Sequence, residues 1–385
     1  MGRNAVLRRI DMKLAPLLLV ASFALTSCAT TFSGTPTDGP QAGQVVRFFP
    51  SMASKVNESQ WLLQIQGRIY EPAEASQFRQ GLVKAFALRV HPSGDPEIYR
   101  RRAGLFLSDS QGNAVVTVEI GGKSVRLPPS DAAGYFSGKV LMTDAEAKSF
   151  AKEGVITFES LPAGGNQERF TGTVVLVPDK GLTVVTDMDD TIKQTCVLDR
   201  DKMLANTFSN EFRDVPGMAD LYRSWETTYG PGIHFHVVSA GPWQLNEPLA
   251  EFVIAKNFPV FTWDMRSIDI PNIQAGLQEL TDQSKDRIRD FKIEKIRALM
   301  QRFPDRHVIL VGDSAERDPE AYQQIRSEFE NRVDAIYIRK VPEECQKEDR
   351  RDYASLPLRL FSDPAELPRS APNRDGRGIA ETGRW

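Results

Sequence analysis

At 385 residues the chain is long enough for two domains with cores of their own, and a hydrophobic content of 41% is that of ordinary globular protein. A formal net charge of −3 carries no polyanion-binding signature, which sets nucleic acid aside as a partner. Three cysteines, Cys28, Cys196 and Cys345, exclude both a disulfide framework and a cysteine-rich zinc site.

The chain opens on a basic stretch, Arg3, Arg8, Arg9 and Lys13, followed by the apolar run Leu14–Leu25, too short to span a bilayer comfortably. That pattern reads as a targeting segment. It closes on Leu25-Thr26-Ser27-Cys28, which resembles the lipobox of bacterial lipoprotein signal peptides. The resemblance implies a signal peptide over 1–27, lipidation of Cys28, and a membrane contact through an N-terminal lipid anchor. The expected location is the bacterial cell envelope, facing the periplasm; Ala29 after the cysteine favours the outer membrane over the inner. Residues 28–44, rich in Thr, Gly, Ser and Pro, read as a flexible tether.

From Val45 to Pro178 the hydrophobic pattern has mostly period two. Trp61, Leu63, Ile65 and Ile69 alternate with polar residues in one half-buried strand. Val116, Val118 and Ile120 lead into Gly121-Gly122 and then Val125 and Leu127, a hairpin with a glycine turn. Further strands are expected over 134–142, 155–160 and 169–177. Phe78, Leu82 and Phe86 mark one helix, and a second starts at Thr143 with Glu146 placed for a capping box. The expectation for 45–178 is a small β-rich sandwich or barrel domain with no catalytic constellation, acting as support, partial cover or a docking module.

From Gly181 onward, strands alternate with helices, the signature of a parallel sheet. Thr183–Thr186 is a β-branched run that breaks on Asp187, Asp189 and Asp190. A helical face follows at Met218, Leu221, Tyr222, Trp225 and Tyr229. Ile233–Ser239 is a second strand, a helix begins near Glu247 with Asn246 as cap, and 282–303 is helical. Arg306–Asp313 and Val333–Arg339 are the third and fourth strands, with a helix opened by Asp318-Pro319 between them. The fold class expected is α/β, a Rossmann-like parallel sheet with helices on both faces over 179–365, and a disordered tail over 366–385.

Three strands thus end on Asp187, Ser239 and Asp313, and a parallel sheet brings such ends to one edge, where ligands bind. Three acids within four residues raise one another's pKa values and call for a cation. Magnesium suits hard carboxylate oxygens and leaves positions open for phosphate. A carboxylate can attack phosphorus, a second can protonate the leaving oxygen, and a hydroxyl with a lysine can hold the phosphoryl oxygens.

D-x-D-x-T at Asp187, Asp189 and Thr191, the strand-end Ser239, Lys292, and G-D-S-x-x-x-D from Gly312 to Asp318 resemble the four motifs of the haloacid-dehalogenase-like phosphatases. More narrowly, DMDDTIK, VPGMADLYRSW, VVSAGPWQL and LVGDSAERDPEAY look like the catalytic domain of the magnesium-dependent phosphatidate phosphatases of fungal actin patches. The resemblance covers Gly181 to Val341. It implies Asp187 as nucleophile and Mg2+ ligand, and Asp189 as acid/base that also ligates through its carbonyl. It further implies Thr191, Ser239 and Lys292 as phosphate-binding groups, and Asp313 with the adjacent Asp318 as metal ligands. Because dehalogenases lack the second aspartate, Asp189 points to phosphoryl chemistry.

Several of these residues have plainer readings. Ser239 alone is a strand-end cap, Asp318 alone a helix start, and Asp190 an acceptor that fixes the loop. Lys292 opposes the macrodipole if it lies in a first helical turn, but not if the helix starts near Ser284. Trp243 is either an apolar lip or packing, and Tyr322 is core. Arg266 and Arg317 are candidates for an anionic headgroup, His234 and His236 are satisfied core groups, and nothing requires Cys196 and Cys345 to pair. The short spacing between motifs leaves room for only a modest cap. Three functions remain: a phosphatase of phosphatidate or a related lipid phosphate, a phosphatase of small soluble phosphomonoesters, and a binding lipoprotein with an inert phosphatase fold.

Overall fold

Alternating side chains build the N-terminal half. In the computed structural model, which describes residues 34–73, 94–268, 285–345, 353 and 356–370, the first strands are β1 (Thr37–Gly39), β2 (Val45–Phe49), β3 (Ser51–Asn57) and β4 (Gln60–Glu71). Helix α1 (Pro96–Phe106) precedes β5 (Asp109–Ser110), β6 (Ala114–Ile120), β7 (Lys123–Arg126) and β8 (Tyr135–Thr143). Helix α2 (Asp144–Phe150), β9 (Val155–Ser160) and β10 (Thr171–Leu176) complete the half. All ten strands belong to one curled sheet, in the order β1-β6-β9-β10-β3-β4-β2, with β5 and β8 also on β4 and β7 on β6. Leu63, Ile65 and Ile69 of β4 meet Val116, Val118 and Ile120 of β6 and Ile156 and Phe158 of β9 in a shared core. The β-rich domain expected as a sandwich or barrel is thus one curled sheet that wraps its own apolar face, with no second sheet stacked on it among the described residues.

Local signals hold here. Gly121 and Gly122 turn β6 into β7 with φ of 57° and 71°, the conformation a two-residue hairpin turn demands. Thr143 and Glu146 form the capping box of α2. Two elements differ from expectation. Thr37–Gly39, inside the stretch read as tether, pairs in parallel with Ala114–Val116. Helix α1 was not anticipated; Asp95 caps it, accepting from the N–H of Glu97 and Ile98, and Pro96 opens it. The helix read around Phe78, Leu82 and Phe86, residues 1–33 and the chain beyond Ser370 lie outside the described residues.

The second half runs β11 (Gly181–Thr186), α3 (Arg200–Phe208), α4 (Met218–Tyr229), β12 (Ile233–Pro242), α5 (Asn246–Ala255) and β13 (Phe261–Arg266). It continues with α6 (Lys285–Arg302), β14 (Arg306–Asp313), α7 (Asp318–Glu328), β15 (Val333–Arg339) and β16 (Arg359–Phe361). The six strands are ordered β13-β12-β11-β14-β15-β16, and every neighbouring pair is parallel. Successive residues face opposite ways. Val184, Phe235 and Ile309 pack with Met218, Leu221 and Trp225 of α4 and Leu249 of α5 on one side. Val185, Val238 and Leu310 pack with Ile296 and Met300 of α6 and Ala321 and Ile325 of α7 on the other. Strands buried on both faces read as continuous apolar runs, which is why β11, β12, β14 and β15 stand out in the sequence.

β13 and β16 were not anticipated. β16 lies beyond Pro342, where charge and proline hide three residues that pair with β15. Order also continues past 365: Leu367 is buried, and the Trp225 indole donates to the Pro368 carbonyl at 2.7 Å. Asn246 is not a cap; it is the first residue of α5, and its amide faces the Met265 sulfur. The two halves interlock. Arg302 of α6 donates to Met52 O, Ser54 Oγ and Gln64 Oε1 of the curled sheet, and Phe49 stacks on Trp243 with ring centroids 4.1 Å apart. Among the described residues, no helix is long and apolar enough to cross a membrane.

Candidate active site

Strand order reverses at β11, where the chain passes from β13 back to β14, and the carboxyl ends of β11, β12 and β14 open a crevice there. Asp187 follows β11, with its backbone N–H donating to Val311 O of β14 at 2.9 Å. Asp313 ends β14. The carboxylate oxygens of Asp187, Asp313, Glu316 and Asp318 lie within 4.8 Å of one another.

One buried ammonium sits among them. Lys292 Nζ is 2.9 Å from Asp187 Oδ1 and 2.6 Å from Glu316 Oε2, and it contacts Asp318 Oδ1. Lys292 is the eighth residue of the described helix α6, so the macrodipole plays no part and the anions alone account for its position. Burial and the neighbouring carboxylates, offset only partly by Lys292, push the Asp187 and Asp313 carboxyls well above the usual range. Burial disfavours the Lys292 charge, yet Asp187, Asp318 and Glu316 hold the ammonium well above its usual value.

Four carboxylates around one ammonium leave an excess of buried negative charge. One of their oxygens, Asp313 Oδ2, is buried and makes no hydrogen bond, and Asp187 Oδ1 has the Lys292 ammonium as its partner. Asp313 Oδ1 accepts from the N–H of Ala315 and Glu316, and Asp318 Oδ2 accepts from the N–H of Asp313. A small hard cation between Asp187 and Asp313 fits this donor set. Asp318, satisfied by Lys292 and by the Asp313 backbone, steadies Asp313. Thr191 Oγ1 lies 3.5 Å from Asp187 Oδ2, at the outer limit of a hydrogen bond.

Asp189 points into the crevice and is 22% exposed at its side chain. Its Oδ1 accepts from Lys193 Nζ at 2.8 Å and Thr195 Oγ1 at 2.6 Å. Burial raises the Asp189 carboxyl, but the Lys193 charge and these two hydrogen bonds outweigh it and hold the group below its usual value. These partners thus favour the ionised form of the carboxyl expected to protonate the leaving oxygen. Asp190 adopts φ of 55° and fixes the loop, its carboxylate accepting from the N–H of Thr195, Cys196 and Val197. Arg339, at the end of β15, donates to the Asp190 carbonyl at 2.7 Å.

Ser239 is fully buried within β12, which runs on to Pro242, and its Oγ accepts from the Gly241 N–H at 3.0 Å. A methyl group placed on Gly241 would stand 3.1 Å from Ser239 Oγ and 3.9 Å from Asp189 Oδ2, so the missing side chain keeps open the space between hydroxyl and carboxylate. Asp187, Asp189, Thr191, Ser239, Lys292, Asp313 and Asp318 thus all gather at one edge of the parallel sheet.

From Asp189 a cleft runs outward to solvent. Its inner end is polar, with Asp189, Lys193, Thr195 and Glu316, and its walls include Met203, Leu204, Phe208, Phe212, Leu249 and Ile288. Arg266 also lines it, whereas Arg317 pairs with Glu320 at 2.6 Å. Trp243 stacks on Phe49 and serves packing. Tyr322 donates to Val311 O in the core, and His234 and His236 both bond Thr262 Oγ1. Cys196 and Cys345 are joined by a disulfide.

Glu316, Lys193, Thr195 and Arg339 escaped the sequence reading. Glu316 follows Asp313 by three residues, and Lys193 follows Asp189 by four. Those spacings were the available signals, but both residues sit in irregular loops where no periodicity assigns a direction.

Residues 182–340 match the family model described as the catalytic domain of phosphatidate phosphatase APP1. An uncharacterised protein of Schizosaccharomyces pombe is 28% identical over 175 residues, covering 45% of this chain and 27% of its own length. Phosphatidate phosphatase APP1 of Saccharomyces cerevisiae is 29% identical over 259 residues, covering 64% of this chain and 41% of its own. The chain thus spans well under half the length of either relative. Among solved structures, a β-glucuronidase of Bacteroides uniformis aligns over 78% of this chain and 36% of its own at 10% identity with a TM-score of 0.22, a likeness too weak to carry an argument.

Proposed function

We propose that the chain is a magnesium-dependent phosphatase that hydrolyses phosphatidate or a related lipid phosphate through an aspartyl-phosphate, on a haloacid-dehalogenase-like sheet. The likeness of 182–340 to a phosphatidate phosphatase catalytic domain supports an enzyme of that kind. The observation that carries the reading is the convergence of Asp187, Lys292, Asp313 and Asp189 on one buried edge, with Ser239 beside it.

In this reading Asp187 attacks phosphorus, the bond to the ester oxygen breaks, and Asp189 delivers a proton to the departing alcohol. Asp189 then takes a proton from the water that attacks the aspartyl-phosphate, and phosphate leaves with Asp187 restored. Lys292, Ser239 and Thr191 hold the phosphoryl oxygens and the loop. The dianionic substrate supplies the negative charge that raises Asp189 from its Lys193-bound state toward the protonated form. Asp187 and Asp313, with the Asp189 carbonyl, would hold magnesium, which when bound neutralises charge on the phosphoryl oxygens.

Phosphate release from phosphatidate micelles and from a small phosphomonoester, with and without magnesium, tests the reading in wild type and Asp187→Asn. Turnover by wild type alone, dependent on magnesium and faster on the lipid, is the expected result. Preference for the small ester would favour a soluble-phosphate enzyme, and inactivity on both would leave a binding lipoprotein. We propose further that Cys28 is the acylated N-terminus of an envelope lipoprotein. Mass spectrometry of the membrane-extracted protein tests this, and a mature chain that begins at Met1 would refute it.

A further inference from the structure

The apolar side of the cleft is assembled from elements far apart in the chain. Met203, Leu204 and Phe208 come from α3, Phe212 from the loop after it, Leu249 from α5 and Ile288 from α6. This wall is continuous with the polar end at Asp189 and Lys193, so a molecule whose phosphate reaches Asp187 must lay its remaining atoms along it. α3 is in turn held by the N-terminal half. Arg102 of α1 donates to Thr207 O at 3.0 Å and Asn210 O at 2.8 Å, and Phe106 packs edge-on to Phe208 with centroids 5.4 Å apart. The Arg102 guanidinium also lies 3.5 Å from the centre of the Phe212 ring, while Lys193 Nζ lies 5.0 Å from it.

We propose that this wall recognises the aliphatic part of the phosphate ester, and that Arg102 is the positioning residue through which the curled-sheet half sets the wall's place. The inference rests on the phosphatase reading for what sits at the polar end, and on the geometry above for what lies along the wall. An aliphatic chain is the occupant because the wall offers methyl, methylene and ring surface next to a polar end whose groups are already engaged. α3 and α1 together thus act as a modest cap, built across both halves of the chain.

The experiment measures the affinity of wild-type protein for ethyl-, butyl-, hexyl-, octyl- and decylphosphonate by calorimetry in magnesium buffer. Affinity should rise by about fourfold per methylene, as burial of a CH₂ implies, and level off once the chain outgrows the cleft. Thr207→Trp, which puts bulk into the wall from a half-buried position, should end the rise at a shorter chain. Arg102→Ala should flatten it, and Arg102→Lys should restore it in part.

Affinity indifferent to chain length in wild type, or the same length dependence in wild type and Thr207→Trp, would overturn the proposal. Phosphate release in the same preparations separates the two readings. A length-dependent series from a protein that hydrolyses no phosphomonoester supports the wall and refutes the phosphatase; hydrolysis with a flat series does the reverse.

Discussion

Lys292 Nζ, eight residues into α6, stands 2.9 Å from Asp187 Oδ1 at the end of β11, although the two lie 105 positions apart in the chain and both are buried. The pair is not isolated, because Glu316 and Asp318 share the same ammonium. Attraction to three carboxylates outweighs the cost of burying one lysine, and the carboxylates without the lysine would repel one another.

Lys292→Met should therefore destabilise the fold by about 3–5 kcal/mol in urea unfolding at neutral pH, the usual cost of leaving buried charge uncompensated. The loss should shrink as pH falls. With folded-state pKa values of Asp187 and Asp313 above their unfolded ones, the folded state binds more protons, so acid favours it and rising pH disfavours it. A variant equally stable at neutral pH would show that the ammonium does not offset the carboxylates.

Asp187→Asn separates chemistry from stability. Turnover should fall by roughly a thousandfold or more, the scale seen when a nucleophile is removed. Thermal stability should hold or rise, because a neutral amide relieves part of the repulsion among Asp187, Asp313, Glu316 and Asp318. Parallel phosphate-release and melting measurements check both halves; a drop in melting temperature with activity retained would contradict the assignment on both counts.

His234 supplies a pH dependence away from the site. Burial first, and the neighbouring His236 next, hold its imidazole well below the ordinary value. The unfolded chain then binds a proton that the folded chain refuses, so stability is lost as pH falls below about 6.5 toward the lower folded value. In His234→Gln the urea midpoint should decline less between pH 7.5 and 5.5 than in wild type. Identical slopes would assign the decline to other groups.

The Cys196–Cys345 disulfide joins the loop beside Thr195 to the segment after β15, across 149 residues. Cys196→Ser should cost about 2–4 kcal/mol. It should also lower turnover, since the N–H groups of Thr195, Cys196 and Val197 are the ones Asp190 gathers and Thr195 is a partner of Asp189. Unfolding and phosphate release under oxidising and reducing conditions check the two effects, with reduction expected to bring wild type to the level of the variant.

The sequence makes legible what local chemistry decides. Buried strands with an unbroken apolar run such as Val308–Val311, the Gly121-Gly122 turn and the Thr143 capping box need no partner to be recognised. Asp187, Asp189, Ser239 and Asp313 are legible because they come directly after the apolar part of such strands. β13 and β16 are not, since short mixed segments become strands only when β12 and β15 offer an edge. Glu316 and Lys193 are hidden for a related reason: each lies in a turn whose direction is fixed by tertiary contacts, Glu316 by Lys292 and Lys193 by Asp189. The span of α1 onto α3 is invisible in principle, because Arg102 and Thr207 meet only after both halves have formed.

Arg302 belongs to the parallel sheet's helix layer but spends its guanidinium on Met52, Ser54 and Gln64, and the Trp263 N–H reaches across to the Pro50 carbonyl. These contacts tie the two halves together. A fragment cut between them would strip the half-buried Arg302 of its acceptors on one side and leave open carbonyls on the other, so expressing the parallel sheet by itself should yield aggregates, and the intact chain should melt in a single cooperative step.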